Sequence, residues 1–132
     1  MNNRVARIAN IAAALGLLWL APHAAATPAE ERFLHARDAY KAGERVRLAR
    51  LAEALGEHEL RPWADYWRLR LRLEDGESEG VADFLDREKG SYLAEKLRAD
   101  WLRLLGKRGE WEAFEKELPP LALPEPDVAC YA

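Results

Sequence analysis

At 132 residues, with 49% hydrophobic and 33% charged side chains and only 8 Gly and 7 Pro, the chain carries enough apolar material for one folded domain and too little length for two comfortable ones. The balance fits a folded helical protein better than a disordered tail. A formal net charge of −3 disfavours nucleic acid as a partner, because affinity for phosphate backbones comes largely from neutralising them with Lys and Arg.

The first element is a targeting segment. "MNNRVAR" supplies Arg4 and Arg7 with no acid, an apolar run extends from Ile8 to Ala21, and "PHAAATP" places Ala24 and Ala26 at A-x-A spacing. This is the layout of a secretory signal peptide over residues 1–26, cleaved between Ala26 and Thr27. The competing reading is an uncleaved anchor, against which stands an apolar run shorter than the roughly 20 residues of a spanning helix. No Cys stands beside the cleavage site, which argues against a lipoprotein. The expectation is an exported, periplasmic protein of a Gram-negative bacterium, with no stable membrane span after cleavage. Removing this segment takes away two of the 20 basic residues and none of the 23 acidic ones, so the net charge falls to −5.

Six helices are predicted over residues 27–118, arranged as three hairpins. Thr27 as N-cap, Pro28 at the first helical position and Glu30 closing a capping box begin the first helix, with Phe33, Ala36 and Tyr40 on one face and Gly43 as its stop. The second carries Leu48, Leu51, Ala52 and Leu55 and ends at Gly56. Pro62 opens the third, with Trp63, Tyr66, Trp67 and Leu71, and Val81, Phe84 and Leu85 mark a short fourth that Gly80 weakens. Ser91 caps a fifth holding Leu93, Leu97, Trp101, Leu104 and Leu105, while Trp111, Phe114 and Leu118 face inward from a sixth. Residues 119–132 read as a Pro-rich linker and the start of a truncated further helix with Asp127 as its cap.

The turns repeat. Gly43-Glu44, Gly76-Glu77 and Gly109-Glu110 stand 33 residues apart, and Phe33, Tyr66 and Ala99, then Leu48, Val81 and Phe114, then Ala52, Leu85 and Leu118 keep the same phase. This predicts an all-α chain, an α-solenoid (superhelix) of helical hairpins with a period of about 33 residues.

Chemistry is sparse. Outside the targeting segment the histidines are His35 and His58, and there is no H-x-x-x-H, C-x-x-C, G-x-S-x-G, Walker loop or dinucleotide fingerprint. No catalytic residue, metal site or cofactor is predicted. Glu95 lies between Leu93 and Leu97, turned from their stripe, and is expected on a solvated face. Arg37, Arg70 and Arg103 share the interval of 33. They either line a concave surface that meets carboxylates of a ligand, or are solvated positions whose stems cover apolar neighbours. Trp63 is either hairpin packing or a platform for a sugar ring. The lone Cys130 is either a small buried apolar residue or one half of a pair whose partner lies after Ala132.

Two stretches carry a resemblance: "RPWADYWRLRLRL" at 61–73 and "FLDREKGSYLAEKLRADWLRLLGKRGEWEAF" at 84–114, with "CYA" at 130–132. With these the chain resembles the N-terminal helical region of soluble lytic murein transglycosylases, particularly β-proteobacterial forms. The resemblance implies a curved superhelix that in the full-length enzyme precedes a lysozyme-like domain. That domain cleaves the β-1,4 bond between N-acetylmuramic acid and N-acetylglucosamine without water, one Glu serving as acid and then base. Its E-S-x-[FY] and G-L-M-Q-like segments do not occur here; the Glu77-Ser78 pair is followed by Glu79 and Gly80. The expected role is a scaffold, inactive alone, meeting peptidoglycan strands through the full-length enzyme and seating its missing catalytic domain. The alternative is a free-standing periplasmic solenoid that binds a protein partner.

Overall fold

A computed structural model describes residues 26–122 and 126–131. Among them every regular element is a helix and no strand occurs: α1 (Pro28–Lys41), α2 (Arg45–Ala54), α3 (Arg61–Glu74), α4 (Val81–Arg87), α5 (Tyr92–Arg108), α6 (Trp111–Glu117) and α7 (Pro126–Ala129). Residues 1–25, nearly all of the stretch expected to be a signal peptide, lie outside the described residues. No helix among those described is long and apolar enough to cross a membrane.

Local chemistry sets the helix starts. Thr27 Oγ1 accepts from Glu30 N at 3.3 Å while Glu30 Oε2 accepts from Thr27 N at 2.6 Å, which satisfies two of the N–H groups that a helix start leaves orphaned. These bonds hold the Glu30 carboxyl below the usual carboxylate range. Ser91 Oγ caps α5 by accepting from Ala94 N at 3.1 Å.

Three helix-to-helix turns are built alike. Gly43, Gly76 and Gly109 adopt φ of 69°, 84° and 68°, left-handed values that disfavour any side chain. The following residue closes a long bond back over each helix end: Glu44 N to Ala39 O, Glu77 N to Arg72 O and Glu110 N to Leu105 O, at 2.9, 2.9 and 3.0 Å. The glycine N–H bonds three residues back, to Tyr40, Leu73 and Gly106. The donor and acceptor positions together make a Schellman motif, which satisfies carbonyls left free at a helix end.

The packing partners follow chain order. Helix α1 lies on α2 and α3, α2 on α3, α3 on α5, α4 on α5, and α5 on both α6 and α7. Leu48, Val81 and Phe114, each four residues after its turn glutamate, Glu44, Glu77 or Glu110, are all buried. The core divides along α5. One cluster gathers α1 to α4 with Leu93, Ala94 and Leu97, and another gathers Ala99, Leu102 and Leu105 with Phe114, Leu121 and Val128. Trp101 packs against both.

Several positions depart from the sequence reading. Trp111 does not face inward: it is 49% exposed at the start of α6, its ring 6.1 Å from Phe114 and 6.4 Å from Tyr131. Cys130 is not a buried apolar residue but an exposed free thiol; Val128, one position before Ala129, takes the buried place in α7. Asp127 lies inside the first turn of α7 rather than before it. Glu95 is half-buried, and its Oε2 accepts from Ala122 N at 2.9 Å, tying the segment after α6 back to α5.

Candidate functional site

An exposed aromatic surface forms where α3 and α5 begin. Trp67 is buried and stacks on Phe33 at 5.2 Å and on Tyr40 at 5.6 Å, so α1 and α3 are joined by ring faces. Trp63, one helical turn earlier, lies 6.2 Å from Trp67 and 6.4 Å from Tyr92, and its ring is 39% exposed. Trp63 therefore packs in part on neighbouring rings and leaves the rest of its surface to solvent. Tyr92, 68% exposed, extends the patch onto α5. Sequence reasoning passed over Tyr92, whose only signal was its place just after the Ser91 cap.

The three arginines at an interval of 33 do not form an open row. Arg37 is exposed and forks onto its neighbour Asp38, with Nε and Nη2 at 3.3 and 3.1 Å from Oδ1. Arg70 donates to the Tyr66 hydroxyl at 3.4 Å and stands 3.8 Å from Glu74. The bond that Arg70 donates to Tyr66 holds the guanidinium pKa above its ordinary range. Arg103 bonds Asp100 Oδ1 at 2.7 Å and forks onto Asp127 of α7. That contact holds the Asp127 carboxyl below its ordinary value. Tyr66 completes the chain by donating to Asp100 Oδ2 at 3.1 Å. A polar line thus runs across α3, α5 and α7, and its charges are spent within the fold.

A second polar group lies in the cleft between the α2–α3 turn and α4. Asp65 is 4% exposed, and Arg61, Arg68 and Arg87 converge on its carboxylate at 3.3, 3.4 and 3.6 Å. Arg61 also donates to Gly56 O at 3.0 Å, and Arg87 stands over the Phe84 ring at 5.6 Å. The cleft has a volume of about 470 Å³ and includes His58, whose Nδ1 accepts from Leu60 N at 3.2 Å. Asp65 was missed from sequence, although a signal existed: a carboxylate four residues before Leu69 on a buried stripe, with Arg61 and Arg68 at helical spacing around it.

Ala26 and Thr27 are both exposed, so the proposed cleavage point is sterically open. Among the described residues no group of three or more His, Cys, Asp or Glu is placed to hold a metal ion. Compared with protein-family models, with curated proteins and with solved structures, the chain matches none of them.

Proposed function

We propose that this chain is the N-terminal scaffold region of an exported, periplasmic soluble lytic murein transglycosylase, built as an α-solenoid of helical hairpins with a period of about 33 residues. The observation that carries the reading is the threefold turn. Left-handed Gly43, Gly76 and Gly109, with their long bonds to residues 39, 72 and 105, recur in the phase of the buried Leu48, Val81 and Phe114. The serial packing of α1, α3, α5 and α7 agrees with stacked hairpins. The likeness of the 84–114 segment to the transglycosylase family supplies the rest. In this reading the chain does no chemistry itself, and the patch of Trp63 and Tyr92 stacks on sugar rings of a glycan strand.

Co-sedimentation of the purified chain with murein tests the proposal, together with mass spectrometry of the soluble products. Binding that falls on Trp63→Ala or Tyr92→Ala, with no 1,6-anhydro muropeptides released, is the expected result. Anhydro products abolished by changing one of this chain's own carboxylates would reject the scaffold role.

A second reading, a free-standing solenoid that binds a protein partner, draws on large apolar side chains left exposed among the described residues: Leu34, Val46, Trp63, Tyr92 and Trp111. Absence of murein binding by the folded chain favours it.

A further inference from the structure

Asp65 is buried where a carboxylate needs strong partners, and its partners are loose. Its side chain is 6% exposed, yet the three guanidinium contacts of 3.3, 3.4 and 3.6 Å all exceed the roughly 2.7–2.9 Å of a good charge-assisted N–H···O bond. Two buried atoms here have no hydrogen-bond partner: the acceptor Asp65 Oδ1 and the donor Arg68 Nε. Buried polar groups are almost always satisfied, so an orphan acceptor beside an orphan donor calls for an explanation.

The two orphans come from residues three apart on α3, and Arg68 Nη2 bridges toward Oδ1 at 3.4 Å. Arg68 is one-third exposed overall, although its Nε is buried, and its guanidinium stands over Oδ1, so a turn of this side chain outward would uncover both orphans. In front of it lies the cleft of about 470 Å³, within the roughly 300–1,000 Å³ of small-molecule pockets. Around the cleft, Glu57, Glu59 and Glu88 stand with Arg61 and Arg87. This mixed rim favours neither a bare anion nor a bare cation.

A ligand that satisfies both orphans presents a charged donor and a charged acceptor a few ångströms apart. A neutral polyol offers hydrogen bonds but neutralises neither group. A polypeptide terminus carries only one of the two charges. We propose that the Asp65 cleft binds the head group of a free α-amino acid, its ammonium on Asp65 Oδ1 and its carboxylate on the Arg68 guanidinium turned outward. The proposal does not rest on the glycan reading, which uses Trp63 and Tyr92.

Titration of the isotopically labelled full chain with glycine and with L-alanine, followed by amide chemical shifts, is the test. Saturable shifts are expected at residues 56–61 and at Arg68 and Arg87. Methylamine and acetate each carry one of the two charges and are expected to bind at least about tenfold more weakly, since each forfeits a charge-assisted contact. Asp65→Asn is expected to weaken glycine binding by about tenfold or more. Because that change touches a nearly fully buried position, Arg68→Gln, at a side chain one-third exposed, is the second variant, with the same expectation. No saturable shift with either amino acid up to its solubility overturns the proposal on the unmodified chain alone. Equal binding by acetate, methylamine or N-acetylglucosamine overturns it too, as do shifts confined to another part of the surface.

Discussion

Tyr66 on α3 donates its hydroxyl hydrogen to Asp100 on α5 across 3.1 Å, and Asp100 in turn accepts from Arg103 at 2.7 Å. The Tyr66 ring is 2% exposed. Burial first, and the Asp100 charge second, push the phenol well above its ordinary value, and burial pushes Tyr40 up as well. A raised folded-state pKa contributes stability that is fully present below the unfolded value of about 10 and is lost as pH rises toward the folded value. Stability should therefore fall steeply above about pH 10. Denaturant titrations of the parent and Tyr66→Phe across that range check it: the variant is expected to be weaker near neutrality by about 0.5–1.5 kcal/mol for the lost bond, and to show a shallower alkaline decline. Equal slopes would place the alkaline sensitivity elsewhere.

Helix α7 is short, and it is held by shape. A Cβ built on Gly106 would come within 2.6 Å of Tyr131 Cγ, so the ring lies directly against the α5 backbone. Val128 is fully buried beside it, and Asp127 meets Arg103. Gly106 has ordinary helical geometry, so Gly106→Ala should strengthen α5 by about 0.8–1 kcal/mol in propensity while expelling the ring. The expected outcome is faster hydrogen exchange at Val128, Cys130 and Tyr131 with α1–α5 unchanged, and no further effect of Tyr131→Ala in that background. Since the Arg103 bond lowers the Asp127 pKa, this tie is present above about pH 4 and lost as pH falls through the lowered value.

Trp101 joins the two core clusters, and its Nε1 is buried without an acceptor. Trp101→Ala should cost roughly 3–5 kcal/mol, as large-to-small changes in packed sites do. Trp101→Phe should cost far less, because it removes the unsatisfied donor along with part of the ring. Glu95→Gln keeps an oxygen for the Ala122 N–H and should stay within about 0.5 kcal/mol. Chemical denaturation of the three variants gives the ranking; an equal loss for Phe and Ala would show that the indole itself, rather than the volume it fills, carries the site.

Gly43 and Gly109 share a left-handed φ, and a Cβ at either would meet only open space or ordinary contacts. Gly43→Ala and Gly109→Ala should each cost about 1–2 kcal/mol, a backbone effect with no steric part. Gly109→Asn should recover part of it, since Asn tolerates this region better than Ala. A large difference between the two alanine variants in thermal unfolding would mean that the turns are not equivalent.

Cleavage between Ala26 and Thr27, as expected of a signal peptide, would leave the capping box whole. Thr27 N already donates to Glu30, and the α-ammonium created by cleavage keeps that donor and adds positive charge facing the carboxylate. Edman or mass analysis of the chain expressed with bacterial export should find Thr27 first. Recovery of the intact Met1 form in the membrane fraction would reject cleavage.

The caps at Thr27 and Ser91, the glycine stops and the buried stripes were readable in advance, because each depends on atoms within about one helical turn. The phase of Leu48, Val81 and Phe114 was readable for the same reason: a helical stripe repeats whatever it packs on. The fates of Trp111, Cys130, Glu95 and Asp65 were not. Trp111 remains half exposed because its ring leans on Phe114 and Tyr131 rather than entering the core, and Cys130 faces out because Val128 fills the α7 contact. Glu95 reaches a backbone N–H that is 27 residues away, and Asp65 is enclosed by guanidinium groups from α3 and α4. Helix formation is a local property of the chain, whereas the side of a helix that meets water is set by whichever neighbour packs against it, and that neighbour is chosen only when the hairpins come together.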